Sequence, residues 1–391
     1  MKLPLYFDWG VSMLFGWGVY GLNLLRHWPR VSGSPAYCMA QIQLESFAGS
    51  DPLTLRSLTQ PLIDSDALRI RLGQEGKRSK LDGLVLHGLG NNLGGSIAPK
   101  DGGYVGTATA AAIFFEDTNI PDVVERTKPY AAIIPGCTWG TELLQSRGVK
   151  NAATVIQGID PAIFHPAPRA DVLPGRFMVF SGGKIEHRKA QDLVLLAFRA
   201  FAQRHPEALL VTAWRSPWPI AAITVNGNPR IQPITLKDND CDIAGWVAAN
   251  GIREDQFIDL GAIPNFQMAR VLREMDVALF PNRCEGGTNL VAMECMACGV
   301  PTIVSKNTGH LDLTATDGCY PLHKQGPVVF EGKGTEGWGE TDVDEMVEAL
   351  EQVWRDRAEA KRRAAIGAAA MAQWSWHRQI GVLHDTLDKF I

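Results

Sequence analysis

Short apolar segments alternate with helix-length segments along almost the whole of this 391-residue chain. A typical helical segment is Gly140–Arg147, and the short segments of the first half are expected to be buried strands. Those strands are Leu3–Phe7, Gly83–His87, Thr107–Phe115, Ala131–Pro135 and Ala153–Gln157. Alternation of this kind predicts an α/β fold whose parallel sheets are covered by helices on both faces.

A break with four prolines interrupts the pattern at residues 159–175, and residues 214–250 are expected to be an irregular insertion. The later strands are predicted at Arg176–Ser181, Leu209–Ala213, Ile258–Leu260, Val277–Phe280 and Thr302–Val304, with helices at Ala190–Arg204 and about Asp342–Gln373. We therefore predict two Rossmann-like domains, residues 1–165 and 170–373, that face each other across a cleft.

Composition narrows the class of protein. The net charge is −4, so nucleic-acid binding has no electrostatic support. The seven cysteines are odd in number and scattered, which is typical of reduced thiols in a cytoplasmic protein. No apolar run reaches the roughly 18 residues that a membrane-spanning helix needs.

The segment at residues 281–305, PNRCEGGTNLVAMECMACGVPTIVS, carries the strongest chemical signal. A strand runs into a loop with Glu285, Gly286 and Gly287, and a helix follows from about Asn289. Loop glycines allow backbone N–H groups to approach a ligand, and a helix N-terminus favours an anion. Glu285 and Glu294 could accept hydrogen bonds from hydroxyl groups.

This segment resembles the signature of family 4 glycosyltransferases, which have the two-domain GT-B fold. The resemblance covers roughly residues 80–391 and includes the stretch ECMACGVP. It implies that Glu285 contacts the donor sugar and that Glu294 holds the ribose. It also implies that residues 286–290 (Gly286, Gly287, Thr288, Asn289 and Leu290) line the sugar and diphosphate. Eight residues separate the two glutamates, where the family usually has seven.

A basic loop follows the first strand of the second domain, in the segment GGKIEHRKA. In the family a basic residue and a lysine five positions later bind the donor diphosphate, and these positions fall on Lys184 and Lys189. Cations there suit a leaving group that gains negative charge. Arg188 is a competing candidate; if it faces solvent instead, its removal should change turnover by no more than about threefold.

The N-terminal domain offers weaker candidates. Gly16 and Gly18 follow the first strand and suit close approach to a donor; with Gly21 they also match a dinucleotide fingerprint, which keeps a nicotinamide-dependent enzyme open. His87 lies at the end of a strand, as do Glu116 and Asp117, and we expect all three to line the sugar or acceptor. In many relatives a histidine occupies the place of Glu116 or Asp117.

Two further patterns receive structural interpretations. Cys295 and Cys298 are expected to be buried thiols on a helix, since no second pair completes a zinc site. A basic cluster could contact a membrane or an anionic acceptor but is more typical of a solvated face; it comprises Arg69, Arg71, Lys77, Arg78 and Lys80, with Asp66 and Glu75.

The resemblance implies a retaining transfer that forms an α-glycosidic bond, without a cofactor or bound metal, from a nucleoside-diphosphate sugar to a hydroxyl of a glycan, glycolipid or other conjugate. It also implies that residues 374–391 form a helix that crosses back to the N-terminal domain. Two alternatives remain: a sugar-nucleotide epimerase, and a silent scaffold that binds sugar nucleotides. We expect a cytoplasmic protein that could also lie at the inner face of the membrane.

Overall fold

The computed structural model describes residues 2–47, 49–74, 80–94, 103–215 and 218–391. The strands and helices of the N-terminal half are β1 (Leu5–Phe7), α1 (Gly16–Ser32), β2 (Ala36–Cys38), α2 (Pro52–Gln74), β3 (Lys80–Leu89), β4 (Val105–Ile113), α3 (Val123–Thr127), β5 (Ile133–Pro135) and α4 (Thr138–Ser146). The strands form one parallel sheet in the order β2-β1-β3-β4-β5.

The C-terminal half contains a second sheet. Its elements are β6 (Phe177–Gly182), α5 (Gln191–Ala202), β7 (Ala208–Ala213), β8 (Leu236–Lys237), β9 (Asp240–Cys241), α6 (Ile243–Ala249), β10 (Phe257–Asp259), α7 (Asn265–Leu272), β11 (Val277–Phe280), α8 (Leu290–Ala297), β12 (Thr302–Ser305), β13 (Tyr320–Leu322), β14 (Gln325–Gly326), β15 (Glu340–Thr341), α9 (Val343–Arg355), α10 (Arg357–Ala372) and α11 (Trp376–Phe390). The main sheet is parallel, in the order β10-β7-β6-β11-β12-β13.

Both faces of the second sheet are buried. Val277 and Leu279 belong to one hydrophobic core, and Ala278 and Phe280 belong to another on the opposite face. Side chains alternate between faces along a strand, so a continuous apolar segment is what a sheet covered on both sides requires. The apolar segment Val277–Phe280 could therefore be predicted from the sequence as a buried strand.

The last helix leaves the C-terminal half and packs on the N-terminal half. Trp376, Ile380, Leu383 and Leu387 of α11 lie in the core that contains Leu5 and the buried side of α1. The chain thus crosses between the halves twice, once through residues 159–175 and once before α11.

Two sequence predictions differ from the structure. Residues 153–157 form no strand; Ala152 makes a single bridge to Ile133, so the segment only follows the edge of β5. The long helix predicted at 342–373 is two helices, because Asp356 ends α9 and caps α10, its side chain accepting a hydrogen bond from the Glu359 N–H at 2.9 Å.

Candidate active site

A cavity of about 610 Å³ lies between the two halves, at the carboxyl ends of both sheets. Its N-terminal wall comes from the loop after β1, the start of α1 and the segment after β4, while its C-terminal wall comes from the loops after β6, β7, β10 and β11 and from α8. In both sheets the strand order reverses at the centre, between β1 and β3 and between β6 and β11. Open parallel sheets bind ligands at such switch points.

Cations from the loop after β6 meet carboxylates inside this cavity. Nζ of Lys189 contacts Oε1 of Glu285, which follows β11. Nζ of Lys184 lies 3.2 Å from Oε1 of Glu116, which follows β4 in the other half. The two lysines predicted from the sequence therefore line one cavity with Glu285 and Glu116.

Arg188, the competing candidate of the sequence analysis, does not face solvent but lines the cavity. Its side chain is only 6% exposed. Nη2 lies 2.7 Å from Oε1 of Glu116 and also contacts Glu186, while Nη1 lies 3.3 Å from Oε2 of Glu285. The short turn of residues 187–189 directs this side chain inward, and one guanidinium joins carboxylates from both halves.

The charges of this cluster balance. Burial would raise the pKa of Glu285, but Lys189 and Arg188 outweigh it and lower the pKa. Burial acts likewise on Glu116, where Arg188 and Lys184 lower the pKa to about 2. Glu116 and Glu285 therefore stay ionised at neutral pH. Lys184, Arg188 and Lys189 face these two carboxylates, and Lys184 and Arg188 also contact Glu186.

A buried arginine that the sequence analysis missed supports the basic loop from behind. Nη1 and Nη2 of Arg283 bind the Asp192 carboxylate of α5 at 2.8 and 2.7 Å. Nη1 also donates to the His187 carbonyl at 2.7 Å, and the Arg283 N–H donates to the Arg188 carbonyl at 2.8 Å. These bonds fix the backbone that carries Arg188 and Lys189.

The start of α8 is held by hydrogen bonds that include His310, a residue that the sequence analysis missed. Asn289 caps the helix, its side chain accepting from the Ala292 N–H at 3.3 Å. Its Nδ2 lies 3.1 Å from Nε2 of His310, whose Nδ1 lies 3.0 Å from the Ser305 hydroxyl. Burial lowers the pKa of His310 to about 4, so this ring is neutral at neutral pH.

Glu294 lies one turn inside α8 and is buried at the cavity wall. Burial raises its pKa to about 8, and the hydrogen bond that it accepts from the Asn265 side chain acts in the opposite direction. Glu285 and Glu294 are therefore in different states at neutral pH: the first is ionised and the second is largely protonated.

Gly286 is required by contact between the halves. A Cβ at this position would lie 2.2 Å from the Phe115 carbonyl oxygen, so only glycine permits the approach. The Cys137 thiol donates to the Gly286 carbonyl at 3.2 Å. Gly286 thus lines the cavity. Its lack of a side chain makes room for the backbone of the opposite half at Phe115.

A protein-family model described as "Family 4 Glycosyltransferase in conflict systems" matches residues 139–383. The chain belongs to this family. The family resemblance seen in the sequence is thereby confirmed.

Curated relatives carry the names of glycosyltransferases. A lipopolysaccharide core biosynthesis mannosyltransferase of Rhizobium leguminosarum is 28% identical over 42% of this chain and 43% of the relative. A GDP-mannose-dependent α-(1-6)-phosphatidylinositol monomannoside mannosyltransferase of Mycolicibacterium smegmatis is 26% identical over 56% of this chain and 51% of the relative. The chain thus spans about half the length of the curated relatives it matches.

Solved structures confirm the fold. A sucrose-phosphate synthase of Thermosynechococcus elongatus superposes with a TM-score of 0.63 at 14% identity, covering 99% of this chain and 100% of the other. Anabaena HepE in complex with UDP-glucose superposes with a TM-score of 0.61 at 13% identity, covering 99% and 100%. The two facing parallel sheets are those of the GT-B fold, as predicted.

Most of the predicted site residues line the cavity of this family 4 protein. Those that do are Gly16, Glu116, Lys184, Lys189, Glu285, Gly286, Gly287, Asn289, Leu290 and Glu294. Gly18, His87, Asp117 and Thr288 do not belong to the lining. Gly18 lies in the first turn of α1, next to Ser12 of the preceding loop. A Cβ at Gly18 would lie 2.5 Å from the Cβ of Ser12, so the close approach of the loop requires glycine.

His87 lies within β3 rather than at the cavity. Its Nδ1 contacts Asp8, and its Nε2 lies 3.0 Å from the Tyr104 carbonyl oxygen. Asp8 also accepts from the Gly88 N–H at 2.8 Å, so the pair links the ends of β1 and β3. We assign His87 a structural role.

Asp117, unlike its neighbour Glu116, does not line the cavity; it binds a strap from the other half, residues 327–339. It accepts from the Gly334 N–H at 2.8 Å and pairs with Nζ of Lys333 at 3.1 Å. The Thr118 N–H donates to the Gly334 carbonyl at 3.0 Å. Asp117 thus holds the halves together outside the cavity.

The two cysteines of the predicted helix, and part of the basic cluster, lie among the described residues. Cys295 and Cys298 are buried thiols of raised pKa, and the described part of the chain contains no cluster of potential metal ligands. Arg69 of the basic cluster pairs with Asp66, whereas Glu75, Lys77 and Arg78 lie outside the described residues. None of the described helices is long and apolar enough to cross a membrane.

Proposed function

We propose that this protein is a retaining glycosyltransferase that moves a sugar from a nucleoside-diphosphate sugar to an acceptor hydroxyl and forms an α-glycosidic bond. One observation carries the proposal: Lys184, Arg188 and Lys189 share a cavity with Glu285, Glu294 and the N-terminus of α8. Cations and a helix N-terminus suit a diphosphate, and the two glutamates suit sugar and ribose hydroxyls. Membership in family 4 supports this assignment.

In this mechanism the basic loop stabilises the departing nucleoside diphosphate. As the glycosidic bond breaks, negative charge builds on the leaving oxygen, and cations fixed nearby stabilise the transition state more than the ground state. Arg283 and Asp192 keep the basic loop in place before the donor arrives. No residue is assigned as a covalent nucleophile.

A panel of UDP- and GDP-sugars tests the proposal through binding, followed by incubation without an acceptor. A glycosyltransferase binds one member and slowly releases the nucleoside diphosphate by transfer to water. An epimerase would return an altered sugar nucleotide, and a silent scaffold would return the sugar nucleotide unchanged. The absence of binding to every member would refute the proposal.

A further inference from the structure

Charge is unevenly distributed over the two walls of the cavity. The cationic lining residues all come from the C-terminal half: Lys184, Arg188, Lys189 and Arg215. Each pairs with a carboxylate, as Arg215 does with Asp259 at 3.1 Å. Among the described lining residues of the N-terminal half, Glu116 alone is charged, and it faces Lys184 and Arg188.

Apart from Glu116 and Gln157, the described side chains of the N-terminal wall are apolar or aromatic. We call Leu14, Phe15, Trp17, Phe114 and the facing Trp218 the apolar lobe. The ring centroids of Trp17 and Phe114 lie 4.6 Å apart, edge to face, and those of Phe15 and Trp218 lie 5.8 Å apart. The apolar lobe therefore begins in one half and ends in the other, across the mouth of the cavity.

The apolar lobe is not a hydrophobic core, because parts of it reach water. Leu14 is 45% exposed and Trp218 is 51% exposed. The first turn of α1, which carries Trp17, is fixed from behind, since Nε1 of Trp9 donates to the Trp17 carbonyl at 3.0 Å. A rigid apolar surface that remains exposed at a cavity mouth indicates a ligand that covers it.

The chemistry of this wall selects among acceptors. Among the described residues of the N-terminal wall, a phosphorylated or carboxylated acceptor would find no cation, and the Glu116 carboxylate would repel it. A free sugar would find few polar partners, since Gln157 and Glu116 are the polar side chains of the described N-terminal lining. An uncharged aromatic or aliphatic body would instead bury its surface against the apolar lobe.

We infer that the acceptor is a hydroxyl compound with an uncharged aromatic or aliphatic body, bound by the apolar lobe. The inference rests on the proposed function, since it places this body beside the sugar donor. Glu116 lies where the apolar lobe meets the basic loop, so the acceptor hydroxyl would enter on the side of Lys184.

Ligand-observed NMR on the intact protein tests the inference with three probes that share one sugar: glucose, glucose 6-phosphate and phenyl β-D-glucoside. Phenyl β-D-glucoside should bind at least about tenfold more tightly than glucose, and glucose 6-phosphate no more tightly than glucose. Leu14→Asp and Trp218→Ala should each weaken phenyl β-D-glucoside at least about fivefold. Leu53→Asp changes an 82% exposed leucine on α2 and is the matched control, with an expected change within about twofold.

Tighter binding of glucose 6-phosphate than of phenyl β-D-glucoside, or equal affinity for glucose and its phenyl derivative, would overturn the inference. So would an effect of Leu53→Asp equal to that of Leu14→Asp. UDP and GDP binding to the wild-type protein separates the two claims. Nucleotide binding without a phenyl preference refutes the acceptor class alone, and a lobe-dependent phenyl preference without nucleotide binding refutes the proposed function alone.

Discussion

Glu116 and Arg188 form an ion pair across the cleft, with Oε1 of the carboxylate 2.7 Å from Nη2 of the guanidinium. The same guanidinium holds Glu285 of its own half at 3.3 Å. The cations of the candidate diphosphate site are thus already engaged by carboxylates. A bound diphosphate would add negative charge to a cluster whose cations are already paired with carboxylates. At least one carboxylate must therefore give up its contact with a cation when the diphosphate binds. Glu116 is the most exposed of the three and is held by the opposite half.

Glu116→Gln should therefore strengthen nucleoside diphosphate binding. The amide keeps the size of the side chain but removes a charge that competes for Lys184 and Arg188, and we expect an affinity about tenfold higher by calorimetry. Asp117→Asn is the neighbouring control, because Asp117 binds the strap and not the basic loop. Weaker binding in Glu116→Gln would show that Glu116 assists the diphosphate rather than competing with it.

Arg188→Ala should lower both the free energy of unfolding and the rate of turnover. The change leaves Glu116, Glu186 and Glu285 crowded without their shared cation, and removal of one partner from a buried ion pair typically costs about 3–5 kcal/mol. Denaturant unfolding measures this loss. Arg253→Ala provides the comparison, since Arg253 is 57% exposed and its removal should leave the free energy of unfolding nearly unchanged. Equal stability of the two variants would contradict the buried role of Arg188.

Glu294 should make the stability of the protein fall with rising pH. Its folded pKa of about 8 exceeds the ordinary value, so the folded state retains a proton that the unfolded state releases. The stabilisation is complete below about pH 4.5 and is lost as the pH rises to about 8, at up to about 1.4 kcal/mol per pH unit. Glu294→Gln should remove this slope. Parallel stability–pH curves for the two proteins would show that Glu294 titrates normally.

Turnover should not require a divalent metal. Lys184, Arg188 and Lys189 supply the positive charge that a leaving diphosphate needs. Activity should therefore be the same, within about twofold, in excess chelator and in added magnesium or manganese. Complete loss of turnover in chelator, with recovery on adding either metal, would mean that the basic loop is insufficient.

The sequence predicted those features that depend on neighbouring residues. The apolar segment Val277–Phe280, the loop with Glu285 and the helix that carries Glu294 all follow from local pattern, and the structure has them in that order. Lys189 and Glu285 were predicted to share one site, but their contact was not predicted; it depends on β6 and β11 being adjacent in the sheet.

The features that sequence reasoning missed depend on contacts distant along the chain. In the sequence, Arg188 belongs to a charged segment of the kind that often forms a solvated loop. In the structure its side chain is buried and binds Glu285, which lies 97 positions later. Asp117 reads as a site carboxylate, but its partner Gly334 lies 217 positions away. Arg283 lies within the segment 281–305 and Asp192 lies on α5, but no local pattern pairs them, and only the packed structure brings them together.

Early-time ¹H NMR of the sugar nucleotide that the protein binds, with water as acceptor, tests the central claim most directly. The account predicts that the donor signal is replaced by free nucleoside diphosphate and by a sugar whose first anomeric signal is α. Lys189→Ala and Lys184→Ala should each slow this reaction at least about 10²-fold, whereas Lys128→Ala, which changes a 62% exposed lysine, should not slow it. A sugar nucleotide that stays intact, a conversion to another sugar nucleotide, or lysine variants as fast as the wild type would contradict the account.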